Sequence, residues 1–545
     1  MDDLTAALRA AFAPEQLSLN PADCDRYLCN TMGARRQLLG AVRPADTAEV
    51  QRLVCIAREQ GAPLYPISTG NNWGYGTALP ALDGCLLVDL SGLNRIVHFD
   101  PDLATVTLEP GVTQGMLFDF LAQQPERFLV PTTGAGPQCS LVGNALERGY
   151  GITPVADHFA AVQSVEAVLG SGDLYQGPFE GLGATTVERC FKWGLGPYID
   201  GLFGQFGAGI VTRMTFQLAP VPTKIQAFYF WMDADSGLDA AVAAVRDLQH
   251  RLPGVLGSIN LMNARRLLSM MGPYPRDQVR PGTVMSEALV ADLARENRVS
   301  AWMGFGALYG EAPVVAGARR VVRQRLKGVA DRSLFVSPNT VARLRPWAER
   351  LPFAWGRKLA DLAGTLDRSL RLVAGEPSEI ALPLAYWRLS GDRTPDAGLS
   401  PAEDGAGLLW YAPLVPMQPE AVAAYRGMVE RVCTAHGIEP LVTFTSLSAR
   451  CFDSTVPILF DPKEPGARER AHACFEALFA EGKALGFVPY RLNIEAQRSA
   501  IDYDSTYWKL VGRIKQAMDP DNLIAPGRYA PVELPGSAGQ GNIGG

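Results

Sequence analysis

Glycine density is the feature that most constrains this chain. LVGNALERGYGITPVADHF (141–159) carries Gly143, Asn144, Gly149 and Gly151, then Thr153, and ends in the pair Asp157-His158. Glycines this close together let a backbone pass near a flat ligand and make turns that a Cβ forbids. A carboxylate and an imidazole directly after such a loop are candidates for proton transfer. The same pattern also suits a glycine-rich surface loop in which Asp157 closes an Asx turn. The rest of the chain has to decide between them.

At 545 residues the chain exceeds what one core can serve, so two domains are expected. The net charge of −6 is spread along the sequence with no basic block, which excludes a nucleic-acid footprint. No apolar run reaches the ~20 residues of a membrane span, and the acidic start MDDLTAALRAAF does not read as a secretory signal. The nine cysteines are scattered and the five histidines lack metal-ligand spacing. Reduced thiols, a cytoplasmic location and no metal are the expectations.

From the N-terminus a short helix is followed by a helix capped at Thr47, with Val50, Leu53, Val54 and Ile56 as its buried stripe. Strand LYPIS (64–68) feeds directly into the loop TGNNWGYG (69–76), a geometry that aims backbone N–H groups at phosphates. Strands at 85–90 and 105–112, a helix at 114–124 and a hairpin at 163–177 follow, and GIVTRMTFQLAP closes the first half as a strand. Beyond residue 223, strand-like YFWMDA, ALPLAYWRL, LLWYAPLVP and LVTFTSLSA alternate with helical stretches. That pattern suggests an antiparallel sheet backed by helices.

Five segments occur in one order: PISTGNNWGYG (66–76), GNALERGYGITPVADH (143–158), GLGPYIDGLFGQFGAGIVTRM (194–214), PYR (489–491) and MDPDNLIAPGR (518–528). Together they resemble the vanillyl-alcohol oxidase / p-cresol methylhydroxylase family of FAD-linked oxidoreductases. The resemblance implies an α+β fold of two parts, a PCMH-type FAD-binding domain and an antiparallel-sheet cap. Residues 1–222 would form the first part of the FAD-binding domain and 223–489 the cap over the substrate. Residues 490–533 would complete the FAD site, leaving 534–545 as a flexible tail.

The family also implies roles for single residues. Ser68, Thr69, Gly70, Asn71, Asn72, Gly74 and Gly76 would cradle FAD, together with Gly143, Asn144, Gly149, Gly151, Thr153 and His158. Gly209, Ile210 and Arg528 would lie beside it. Tyr75, Tyr490 and Arg491 match the residues that hold a phenolate oxygen in relatives. Two hydroxyl donors and a guanidinium lower the pKa of a phenol from about 10, and the anion makes the benzylic C–H a hydride donor to flavin N5. Asp157 matches the acid near the reacting carbon. The implied activity is oxidation of a 4-alkylphenol, a 4-hydroxybenzyl or vanillyl alcohol, or an allylphenol, through a p-quinone methide. O2 or an electron-acceptor protein would reoxidise the flavin, and a homodimer or larger homo-oligomer is implied.

Two positions depart from the family pattern. Leu408 falls where relatives tether the flavin, and Tyr411 is three residues away, so non-covalent FAD is expected. Cys451 and Phe452 stand where relatives commonly carry histidines, which points to a bulkier or less polar substrate. The same fold could instead oxidise a non-phenolic alcohol, a hydroxy acid or a natural-product intermediate, or bind flavin without turnover. Convergence of Tyr75, Tyr490 and Arg491 on one point discriminates among these.

Overall fold

A computed structural model describes residues 2–337, 364, 367–391 and 398–531; the tail 534–545 lies outside them. Three sheets carry most of the architecture. The first has four strands in the order Leu17–Ser18, Leu38–Val42, Cys85–Asp89, Leu64–Ile67, with the last three parallel. A parallel sheet needs both faces covered, and the helix Thr47–Glu59 supplies one cover with Val50, Leu53, Val54 and Ala57 buried. The N-cap of this helix is Asp46 rather than Thr47: its side chain accepts from the Glu49 N–H, as carboxylates at this position do.

The second sheet has five antiparallel strands ordered Ile96–Asp100, Thr105–Leu108, Gly209–Gln217, Val162–Leu169, Leu174–Tyr175. The third is larger and antiparallel. Its path runs Arg332–Val336, Lys224–Met232, Trp302–Gly310, Asn260–Asn263, Thr443–Ser446, Cys451–Phe460, Gly407–Tyr411. Helices Leu238–Arg251, Pro419–Ala435 and Ala467–Ala484 share one continuous core with one of its faces. The expected strand ALPLAYWRL is instead a short 3-10 turn over Leu382–Tyr386. Pro383 has no N–H to give to a ladder, which excludes it from a sheet interior.

The end of the described chain returns to the first sheet. Leu64 N–H donates to Leu523 O and Ala525 N–H to Leu64 O, at 2.8 and 2.7 Å. The nearly inaccessible Lys515 fixes this return. Its Nζ donates to Gly207 O (2.5 Å), Asp519 Oδ2 (2.5 Å) and Ile524 O (2.7 Å). The Asp519 carboxylate in turn accepts from the Leu523 and Ile524 N–H groups. One buried ion pair thus ties residues 515–525 to the loop before Gly209.

Candidate active site

A cavity of 510 Å³ lies between the loops of the first half and the face of the large sheet opposite its helices. Strand alternation selects which sheet residues reach it. In register, Asn260, Thr445 and Asp453 form one cross-strand row, and Met262, Thr443 and Thr455 form the next. All six line the cavity, as do Leu408 and Trp410 on the neighbouring strand. The intervening Leu409, Tyr411, Phe444 and Phe452 point the other way into the core shared with the helices.

The loop after Leu64–Ile67 forms one wall, with Ser68, Thr69, Gly70, Asn71, Asn72 and Tyr75 all lining the cavity. Among the described residues the N–H groups of Thr69, Gly70 and Asn71 have no protein acceptor. Such a row of free donors at the end of a strand suits a pyrophosphate. Gly74 and Gly76 lie behind the wall rather than in it. Gly74 adopts φ +76°, and a Cβ there would come within 2.3 Å of Trp410 Cδ1, so only glycine lets the loop meet the sheet. Gly143, Asn144, Gly149 and Gly209 also line the cavity, whereas Ile210 packs on the opposite side of its strand. Gly151, Thr153 and His158 lie outside the lining. His158 is buried with Nδ1 against Asn144 Nδ2, and burial lowers its pKa to about 4. Here the glycines serve side-chain packing: a Cβ on Gly149 would meet Asn144 Oδ1 at 2.0 Å.

Tyr75, Tyr490 and Arg491 converge in the cavity lining. The Arg491 guanidinium sits over the Tyr75 ring, 4.0 Å from its centroid, and donates to Asn72 Oδ1. Its Nε lies 3.4 Å from Glu147 Oε2. Glu147 also takes the guanidinium of Arg528, which donates to Tyr65 Oη as well. Burial opposes ionisation of Glu147, but Arg528 and Arg491 together hold its carboxyl below the usual range. Burial raises the hydroxyl pKa values of Tyr75 and Tyr490, against the pull of Arg491, so both stay protonated donors.

The second carboxyl in the cavity is Asp453. Burial raises its pKa to about 7, with Arg491 pulling the other way, and among the described residues its Oδ1 has no hydrogen-bond partner. Asp157 does not reach the cavity lining. It is exposed, pairs with Tyr150 across the loop, and its Oδ1 accepts from the Ala160 N–H at 2.9 Å, closing the turn. Sequence reasoning therefore passed over Asp453 and Glu147. The available signal for Asp453 was period-2 alternation in CFDSTVPILF, where a carboxylate shares a strand with five core residues. Cys451 and Phe452 are not cavity residues either: Cys451 Sγ is turned to a backbone carbonyl and Phe452 is core.

Residues 39–177 match the FAD binding domain family. The 1'-carboxy-chondrochloren decarboxylase of Chondromyces crocatus is 37% identical over 505 residues, 92% of each chain. The flavoprotein subunit of 4-cresol dehydrogenase [hydroxylating] from Pseudomonas putida is 29% identical over 496 residues, covering 90% of this chain and 87% of that protein. The crystal structure of p-cresol methylhydroxylase with substrate bound superposes with a TM-score of 0.85 at 26% identity, over 97% of this chain and 96% of that one.

The chain belongs to the vanillyl-alcohol oxidase / p-cresol methylhydroxylase family.

Its fold is accordingly the α+β PCMH-type FAD-binding architecture with an antiparallel-sheet cap, and its cofactor is FAD. As a member of this family it is an FAD-linked oxidoreductase. The cavity suits that cofactor: Thr69–Asn71, whose amides have no protein acceptor among the described residues, line it, as does Arg528. Among the described residues no helix is long and apolar enough to cross a membrane.

Proposed function

We propose that this enzyme oxidises a para-substituted phenol: a 4-alkylphenol, a 4-hydroxybenzyl or vanillyl alcohol, or an allylphenol. The observation that carries the reading is the convergence of Tyr75, Tyr490 and Arg491 in one cavity, with the guanidinium 4.0 Å above the Tyr75 ring. Two protonated hydroxyls donate to the substrate oxygen and the fixed cation offsets its charge, so the phenol is bound as its anion. Bound FAD supplies a hydride acceptor at N5 for the benzylic carbon, leaving a p-quinone methide as the substrate-derived product of the step. Asp453 is the group suited to proton handling, since a carboxyl titrating near 7 can take or give a proton at neutral pH. Thr69–Asn71 and Arg528 hold the cofactor without a covalent bond. Leu408 cannot form one, and Tyr411 faces away from the cavity. O2 or an electron-acceptor protein takes the electrons onward.

The quinone methide has two fates. Water addition gives a benzylic alcohol, and where the substrate is already an alcohol, loss of its hydroxyl proton gives the aldehyde instead. A second reading, favoured by the relative named as a decarboxylase, ends in loss of CO2. If the carbon next to the benzylic position bears a carboxylate, its C–C bond breaks. That electron pair forms the new C=C bond, and the ring regains its aromatic phenolate. The balance is one two-electron oxidation, one CO2 and a 4-vinylphenol.

The test is the visible spectrum of the purified protein before and after anaerobic addition of 4-hydroxybenzyl alcohol or a 4-alkylphenol. Bleaching of the flavin band is expected, and admission of air then separates oxidase from dehydrogenase. A yellow protein that no phenol bleaches would sink the phenol reading.

A further inference from the structure

Among the described residues three guanidinium groups line the cavity, those of Arg266, Arg491 and Arg528, against two carboxyls, Glu147 and Asp453. Arg491 and Arg528 share Glu147, and Asp453 lies in the field of Arg491. Arg266 has no carboxylate: among the described residues its guanidinium bonds to Ser269 Oγ at 3.1 Å. The contrast with its neighbour is direct. Arg265, on the same helix Ala264–Met271, is compensated by Glu439, Glu287 and the Met285 carbonyl. Burial alone pulls the Arg266 guanidinium down to about 10. A cation taken largely out of water costs free energy unless a counter-charge is present; Arg266 is half-buried, and the space beside it is cavity.

Position narrows what fills that space. Asn263 ends the strand that contributes Asn260 and Met262, and its side chain caps the helix at the Arg266 N–H. Going from the Asn260–Thr445–Asp453 row to the Met262–Thr443–Thr455 row is one step of about 7 Å along the strand, away from Asp453 and toward Arg266. We infer that Arg266 is a specificity residue that binds a carboxylate on the substrate's side chain, at the end of the cavity away from the phenol oxygen. The inference rests on the phenol reading for the ring end of the ligand. The substrate class is then a 4-hydroxyphenyl compound bearing a carboxylate a few bonds beyond the ring.

Three ligands separate the two claims: 3-(4-hydroxyphenyl)propanoate, 3-phenylpropanoate, which lacks the hydroxyl, and 4-propylphenol, which lacks the carboxylate. Affinity of the FAD-loaded enzyme for each is read anaerobically by calorimetry and by flavin absorbance, in wild type, Arg266→Gln and Arg266→Lys. Wild type is expected to prefer 3-(4-hydroxyphenyl)propanoate over 4-propylphenol. Arg266→Gln should weaken both carboxylates about 10- to 100-fold, the worth of a charge-assisted pair, and leave 4-propylphenol and FAD within about threefold. Arg266→Lys should recover part of the loss. An equal loss for the neutral phenol, a loss of FAD affinity instead, or a wild type indifferent to the carboxylate would overturn the assignment. The phenol reading fails separately, if removing the hydroxyl changes neither affinity nor bleaching while the dependence on Arg266 persists.

Discussion

Asp453 and Asp157 show what the surroundings of a carboxyl decide. Asp453 is enclosed with Arg491, Tyr75, Tyr150, Tyr490 and Cys451 around it, whereas Asp157 is exposed and caps a turn. Asp453→Asn should therefore lower kcat by about 100-fold or more, as loss of a positioned acid–base group does, while Asp157→Asn stays within a few-fold. Steady-state rates on one phenol check both. The raised pKa also has a stability signature. The folded chain keeps the Asp453 proton up to about pH 7, while the unfolded chain releases it near the ordinary carboxyl value. Stability from this group is full below about pH 4 and declines up to about pH 7. Asp453→Asn should be the more stable protein at pH 8, by about 2–4 kcal/mol, with the gap closing toward pH 4 in paired denaturation curves. At this scale the shared cavity of Tyr75, Tyr490 and Arg491 could be anticipated because each sits in a distinctive short motif. The cavity carboxyl could not, because the residue types of Asp157 and Asp453 are the same and only the third dimension turns one inward.

Strand Gly407–Tyr411 illustrates how an element assigns roles by parity. Leu408 and Trp410 face the cavity, and Leu409 and Tyr411 face the helices. Flavin should consequently leave with the supernatant when the holoenzyme is acid-precipitated, and protein-bound yellow colour in the pellet would contradict this. Among the described residues the buried Tyr411 hydroxyl has no hydrogen-bond partner, and it packs where a Cβ on Gly482 would meet it at 2.0 Å. Tyr411→Phe removes an unsatisfied polar group, so it should be neutral or stabilising by about 1 kcal/mol in a denaturant titration, with the flavin spectrum unchanged. Most strands were readable from alternation and flanking turns. The segment 381–389 was not: its composition suits a strand, and Pro383 overrides it with a turn.

Across the whole molecule, the contact hardest to read from sequence joins segments hundreds of residues apart. MDPDNLIAPGR marked the segment as part of a family pattern, but not that Lys515 reaches Gly207 and Ile524 while pairing with Asp519. Lys515→Met leaves the Asp519 charge buried and uncompensated, and should cost about 3–5 kcal/mol, read as a lower Tm and weaker FAD retention on gel filtration. The same clasp orders events during synthesis. The loops at 68–72 and 143–149 emerge from the ribosome long before residues 515–528, which anchor the Gly207 loop and contribute Arg528. On the proposed role of Arg528 in holding FAD, the site is complete only once these last residues have been made, so cofactor capture is expected late in synthesis.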